Sequence, residues 1–173
     1  VDILTGGRFR LGVGIGWNPV EYEALGKDFH DRGARSEEQV ELLRRLLAQP
    51  SVTFEGRHER VVGAGIAPLP VQRPIPIWFG AASPRAYRRV GRLGDGWFPM
   101  VPPGPHLDGA LAIVGEAARD AGRDPGAIAM EGRVAWRPDG GIDKVRDHLD
   151  RWRDAGATHV SVDVQHAAML ITN

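Results

Sequence analysis

The sequence predicts an α/β fold built on parallel strands, and three observations carry that prediction. Phe9–Asn18, FRLGVGIGWN, has Leu11, Val13 and Ile15 alternating with Gly12, Gly14 and Gly16, as a buried strand with one bare face would. Ile75–Phe79, IPIWF, is a second strand-length apolar run and also ends in small residues, Gly80-Ala81-Ala82. Stretches with a helical apolar repeat follow such runs along the chain, and strands alternating with helices make parallel βαβ units.

Taken in order, Val1–Gly7 reads as the last turn of a helix closed by glycine. The glycine strand follows, and Asn18-Pro19 opens a short helix with Glu21 and Glu23 early and Tyr22 and Leu25 as its buried side. Ser36–Ala48 is the clearest helix: Ser36 and Gln39 form a capping box, and Val40, Leu43 and Leu47 share a stripe. Val52–Val62 is a polar hairpin around Glu55-Gly56 rather than a core strand. Ala67–Pro76 is an extended, proline-rich connector.

After the second strand, Ser83 and Pro84 cap and open a helix to about Leu93, with Tyr87 and Val90 inward. Gly96–Met100 is a third strand, Leu107–Ala121 an amphipathic helix, and Ala127–Trp136 a fourth strand. Ile142–Ala155 is a helix with Ile142, Val145, Leu149 and Trp152 facing in, and His159–Val164 is the fifth strand. The chain of 173 residues reads as one domain, residues 1–173, with no internal repeat.

Composition excludes several classes. Lys+Arg and Asp+Glu are 22 each, so no net field attracts nucleic acid or an anionic membrane. No apolar run has the length of a membrane span, and the cytoplasm is the expected location. With no cysteine there is neither disulfide nor thiolate metal site. The histidines His30, His58, His106, His148, His159 and His166 lack metal-ligand spacing and read as solvated surface, so no metal is expected.

Chemistry has two candidate places of one design. At Gly14–Asn18 and at Gly80–Ser83 a strand ends in small residues and hands over to a helix, both expected at the carboxyl-terminal face of one sheet. The second suits an anion, with backbone N–H groups, a helix N-terminus and the Ser83 hydroxyl; it also reads simply as a helix cap. Trp17, Trp78 and Trp97 could wall a flat ring or fill the core, and core is the expected place of Trp78. Asp95, between Gly94 and Gly96, reads as a turn residue. Glu21 and Asp163 stand at strand ends without forming an acid/base pair, and no catalytic residue is assigned.

Two long stretches, VDILTGGRFRLGVGIGWNPVEYEALG and PIPIWFGAASPRAYRRVGRLGDGWFP, resemble the luciferase-like monooxygenase superfamily, in particular its deazaflavin-dependent branch. The resemblance covers Val1 to about Val164. It implies a (β/α)8 barrel that binds coenzyme F420, or alternatively FMN, at the carboxyl ends of the strands and exchanges hydride with a small-molecule substrate. By position it implies that Gly80, Ala81, Ala82 and Ser83 hold the phosphate or ring edge. Gly14, Gly16, Trp17 and Asn18 would line the ring or ribityl chain, and Gly96 and Trp97 would lie at the next strand end. A closed barrel needs at least ~200 residues. The expectation is therefore a partial TIM barrel of about five parallel strands equivalent to strands 4–8, with the last helix, after Val164, short or absent. The strands before it and their catalytic groups would be missing, so the chain alone could be inactive. Its exposed strand edges would be covered by homo-oligomerisation or by the rest of a longer protein. A non-catalytic interaction module is the other reading.

Overall fold

The computed structural model describes residues 1–137 and 140–164. Five strands form a parallel sheet in the order β1-β4-β5-β6-β7, and two form a separate hairpin, β2-β3. The chain divides into two compact units, residues 1–78 and 79 onward.

The first unit begins with a turn in which Gly6 and Gly7 both have positive φ and Gly7 N–H bonds the Asp2 carbonyl, as at a helix end. The buried Asp2 carboxylate ties this turn to the connector, accepting from the backbone N–H of Val71 at 2.7 Å and of Gln72 at 3.0 Å. Strand β1, Leu11–Val13, is shorter than its sequence suggested, and its Leu11 and Val13 are half-buried rather than buried. Helix α1, Pro19–Ala24, is capped by Asn18 as expected. It lasts six residues, so Leu25 falls at its C-cap and is 74% exposed instead of facing in.

Helix α2, Arg32–Ala48, starts a turn before the expected capping box. Asp28 accepts from His30 N–H, and an i,i+4 ion pair, Arg35 to Asp31 at 2.8 Å, braces the first turn, so Ser36 lies buried inside the helix. Strands β2, Val52–Glu55, and β3, Arg60–Ala64, form the expected antiparallel hairpin. Its inner face is apolar after all: Val52 and Phe54 are buried with Leu42 of α2, beside Leu46 and Val61.

Strand β4 runs Ile77–Ala81, two residues later than expected, because Pro74 and Pro76 have no N–H to give a ladder and the Pro76 carbonyl accepts from Leu11 N–H. In the second unit Ser83 caps α3, Pro84–Leu93, which leads to β5, Gly96–Pro99. Helix α4, Pro105–Asp120, packs on α3 so closely that a Cβ on Gly91 would stand 2.4 Å from the Val114 carbonyl oxygen. Strand β6, Ala129–Ala135, helix α5, Gly141–Asp154, and strand β7, His159–Asp163, complete it. Parallel register pairs Trp97 with Met130 and Gly132 with Val160. Trp152 of α5 lies on the bare face of Gly132, while Ile142, expected inside, is 55% exposed in the helix's first turn. The expectation for the helix after Val164, and His166 with it, lies outside the described residues.

Candidate functional site

In the first unit the glycines after β1 leave backbone open. A Cβ at Gly14 would meet nothing within 4 Å, whereas Gly16, at φ +72°, would place one 3.3 Å from the Tyr22 ring. The Tyr22 hydroxyl donates to the Ile15 carbonyl and so fixes the bend. Trp17 is 84% exposed. Asn18 is spent on capping: Oδ1 accepts from Val20 N–H and Nδ2 donates to Glu21, each at 3.1 Å. A cleft of about 430 Å³ opens here, with Gly14, Ile15 and Gly16 on one side and Tyr22, Arg35 and His58 among its other walls.

In the second unit alternation along β4 buries Phe79 and Ala81 and leaves Gly80 exposed, with nothing within 4 Å of where a Cβ would stand. Ala82 and Ser83 are exposed, and Ser83 Oγ accepts from Ala86 N–H at 3.4 Å. Open backbone therefore runs into the amino end of a ten-residue helix. Ala81 can offer a ligand backbone only, since its side chain is buried.

Gly96 and Trp97 are placed differently from the expectation. They open β5 at its amino end, and Trp97, 1% exposed, meets Tyr87 edge to face at 5.7 Å in the core. Trp78 is core as expected, with the Arg10 guanidinium 4.3 Å above its ring. Asp95 keeps its turn role, beside Arg123, which donates to the Gly91 and Gly94 carbonyls at 2.7 Å each. Among the described residues no group of three His, Asp or Glu could hold a metal ion.

His58 is not the solvated surface residue that its spacing predicts. Its side chain is 11% exposed, and its Nδ1 lies 3.5 Å from Asp31 Oδ2, the oxygen that also takes Arg35. The pairing of Asp31 with Arg35 is legible as an i,i+4 spacing, but nothing in the sequence signals that the hairpin tip brings His58 to it.

The chain belongs to the luciferase-like monooxygenase family, which matches residues 1–152. It is 35% identical over 145 residues to an F420-dependent glucose-6-phosphate dehydrogenase of Segniliparus rotundus, covering 79% of this chain and 43% of that protein. A protein of the same description from Nocardia farcinica is 38% identical over 131 residues, covering 72% of this chain and 39% of that one. The chain thus spans less than half the length of these two relatives. Among solved structures, an F420-dependent secondary alcohol dehydrogenase superposes with TM-score 0.75 at 18% identity, covering 92% of this chain and 65% of that one. A coenzyme F420-dependent tetrahydromethanopterin reductase from Methanopyrus kandleri gives TM-score 0.72 at 18% identity, over 93% of this chain and 69% of that one. These likenesses show the fold, and no helix among the described residues is long and apolar enough to cross a membrane.

Proposed function

We propose that the chain is the cofactor-gripping part of a deazaflavin-dependent oxidoreductase, with coenzyme F420 as cofactor and FMN as the alternative, acting on a small organic substrate. The carrying observation is the open backbone at Gly80, which continues through Ala82 to the amino end of α3. The uncovered backbone and the positive end of the helix favour a phosphate there, and no side chain of Gly80 obstructs its approach. In this reading Gly80, Ala82 and Ser83, with the backbone of Ala81, hold the phosphate. Gly14, Gly16, Trp17 and Asn18 serve the ring and ribityl chain, the exposed Trp17 offering an aromatic face. Gly96 and Trp97 support the sheet from its core instead of touching the cofactor. When bound, the ring supplies the carbon that takes or gives hydride; the chain binds and orients it. F420-dependent relatives support the deazaflavin, and a riboflavin lyase of similar fold, solved with a modified FMN (TM-score 0.58, 19% identity), keeps FMN as the alternative.

Fluorescence titration with coenzyme F420 and with FMN tests the reading. Binding of one of them is expected, with Ala82→Asp and Ser83→Asp each weakening it by about tenfold or more, since each puts a carboxylate where the phosphate should lie. Undiminished binding by both variants contradicts the phosphate assignment. A folded chain that binds neither cofactor favours the non-catalytic interaction module. We propose further that copies of the chain associate through β1 and β7, each of which has a sheet neighbour on one side only among the described residues.

A further inference from the structure

We infer that a pocket of the second unit, beside α5, binds a small organic carboxylate. The pocket has a volume of about 170 Å³. Its walls include Pro102 and Pro103 ahead of α4, Arg133 of β6, and His148, Arg151 and Trp152 of α5. None of these belongs to the segments assigned above to the cofactor, so the inference stands apart from that assignment. An apolar cavity of about 150 Å³ holds a benzene ring, so the space suits one ring bearing one acidic group.

Charge selects an anion. Two arginines and a histidine stand in the lining, and no acidic residue does. Elsewhere on α5 arginines have carboxylate partners: Arg146 lies 3.5 Å from Asp143, and Arg153 lies 2.8 Å from Asp150. Arg151 has no such partner among the described residues. Its Nη2 donates to the Pro103 carbonyl at 3.0 Å, which holds the planar guanidinium at the pocket and leaves its other N–H donors for a ligand. His148, three residues earlier on α5, shares that face of the helix. The walls select an organic body. Trp152 is fixed before a ligand arrives, because its Nε1 donates to the Arg133 carbonyl at 3.2 Å and its ring lies on Gly132. Pro102 and Pro103 have no side-chain rotamers to order on binding. An exposed ion pair alone contributes little, so a ring buried against these apolar walls supplies affinity that a bare inorganic anion lacks.

Proton–nitrogen NMR of the wild-type chain, titrated with benzoate, with its neutral isostere benzamide and with inorganic phosphate, tests this without any cofactor. The Trp152 indole N–H and Arg151 Nε–H signals, assigned by through-bond correlation in the wild type, should shift and saturate with benzoate. Benzamide and phosphate should each bind about fivefold more weakly or worse. Arg151→Gln should weaken benzoate binding by about fivefold or more. Arg146→Gln, which removes an arginine of the same helix that pairs with Asp143, should leave it unchanged. Absence of benzoate shifts at both Trp152 and Arg151 in the wild type overturns the site, and that readout needs no variant to fold. Equal binding of benzamide, or benzoate binding undiminished by Arg151→Gln, overturns the selection of a carboxylate. Equal binding of phosphate overturns the organic body.

Discussion

Glu38 fastens the hairpin tip to α2 by accepting three backbone N–H groups at once, from Arg57 at 2.9 Å, His58 at 2.8 Å and Glu59 at 2.6 Å. Desolvation raises its pKa, but the N–H groups of His58, Glu59 and Arg57, with the nearby His58 charge, outweigh it and leave the carboxyl below its ordinary 4.5. A pKa lowered by folding contributes stability above the unfolded value that is lost as pH falls through the folded one. We therefore expect acid unfolding to begin below about pH 4.5 with a contribution from this site. Glu38→Gln should remove that contribution, so that thermal midpoints of variant and wild type converge as pH falls. The same loss in both proteins on acidification contradicts the clamp. Asp2, lowered chiefly by the Gln72 side chain and its backbone N–H, acts with the same sign at the amino terminus.

At the scale of elements, α3 is the best-specified piece of the chain. Ser83-Pro84 caps and opens it, and Tyr87, Arg89, Val90 and Gly91 are buried along it. Ser83→Ala should cost about 1 kcal/mol in urea unfolding through loss of the cap. Gly91→Ala should cost about 1–3 kcal/mol, because its Cβ would meet the Val114 carbonyl oxygen at 2.4 Å and the Ala117 Cβ at 2.8 Å. Backbone oxygen has little freedom to retreat, so a neutral Gly91→Ala would mean that α3 and α4 slide apart at no cost.

For the molecule as a whole, the five-stranded sheet has two terminal strands, β1 and β7. Exposed Val162, 49%, and Val164, 56%, lie on or beside β7, and a terminal strand with apolar side chains invites another strand. Size-exclusion chromatography with light scattering should show concentration-dependent association. Val162→Lys, which places a charge on that edge, should shift the population toward monomer. A chain that is monomeric at all concentrations contradicts self-association through this edge.

Local chemistry was readable from the chain alone where neighbours in sequence decide the outcome. Asn18-Pro19 and Ser83-Pro84 mark helix starts because capping and the fixed φ of proline act within three residues. The strand and helix alternation, and with it the parallel sheet, follows from apolar spacing, and the wording of the two long motifs points to the family. Helix α2 starts ahead of the Ser36 capping pattern because a carboxylate four residues before an arginine braces an earlier turn. Packing alone decided what needed distant partners. It put Trp97 in the core, left Trp17 in solvent, and turned the inner face of a polar-looking hairpin into a small core on α2. It also brought His58 across 27 residues of chain to Asp31. Short-range geometry is written in adjacent residues, whereas the meeting of a loop and a helix end depends on how the intervening strands are paired and buried.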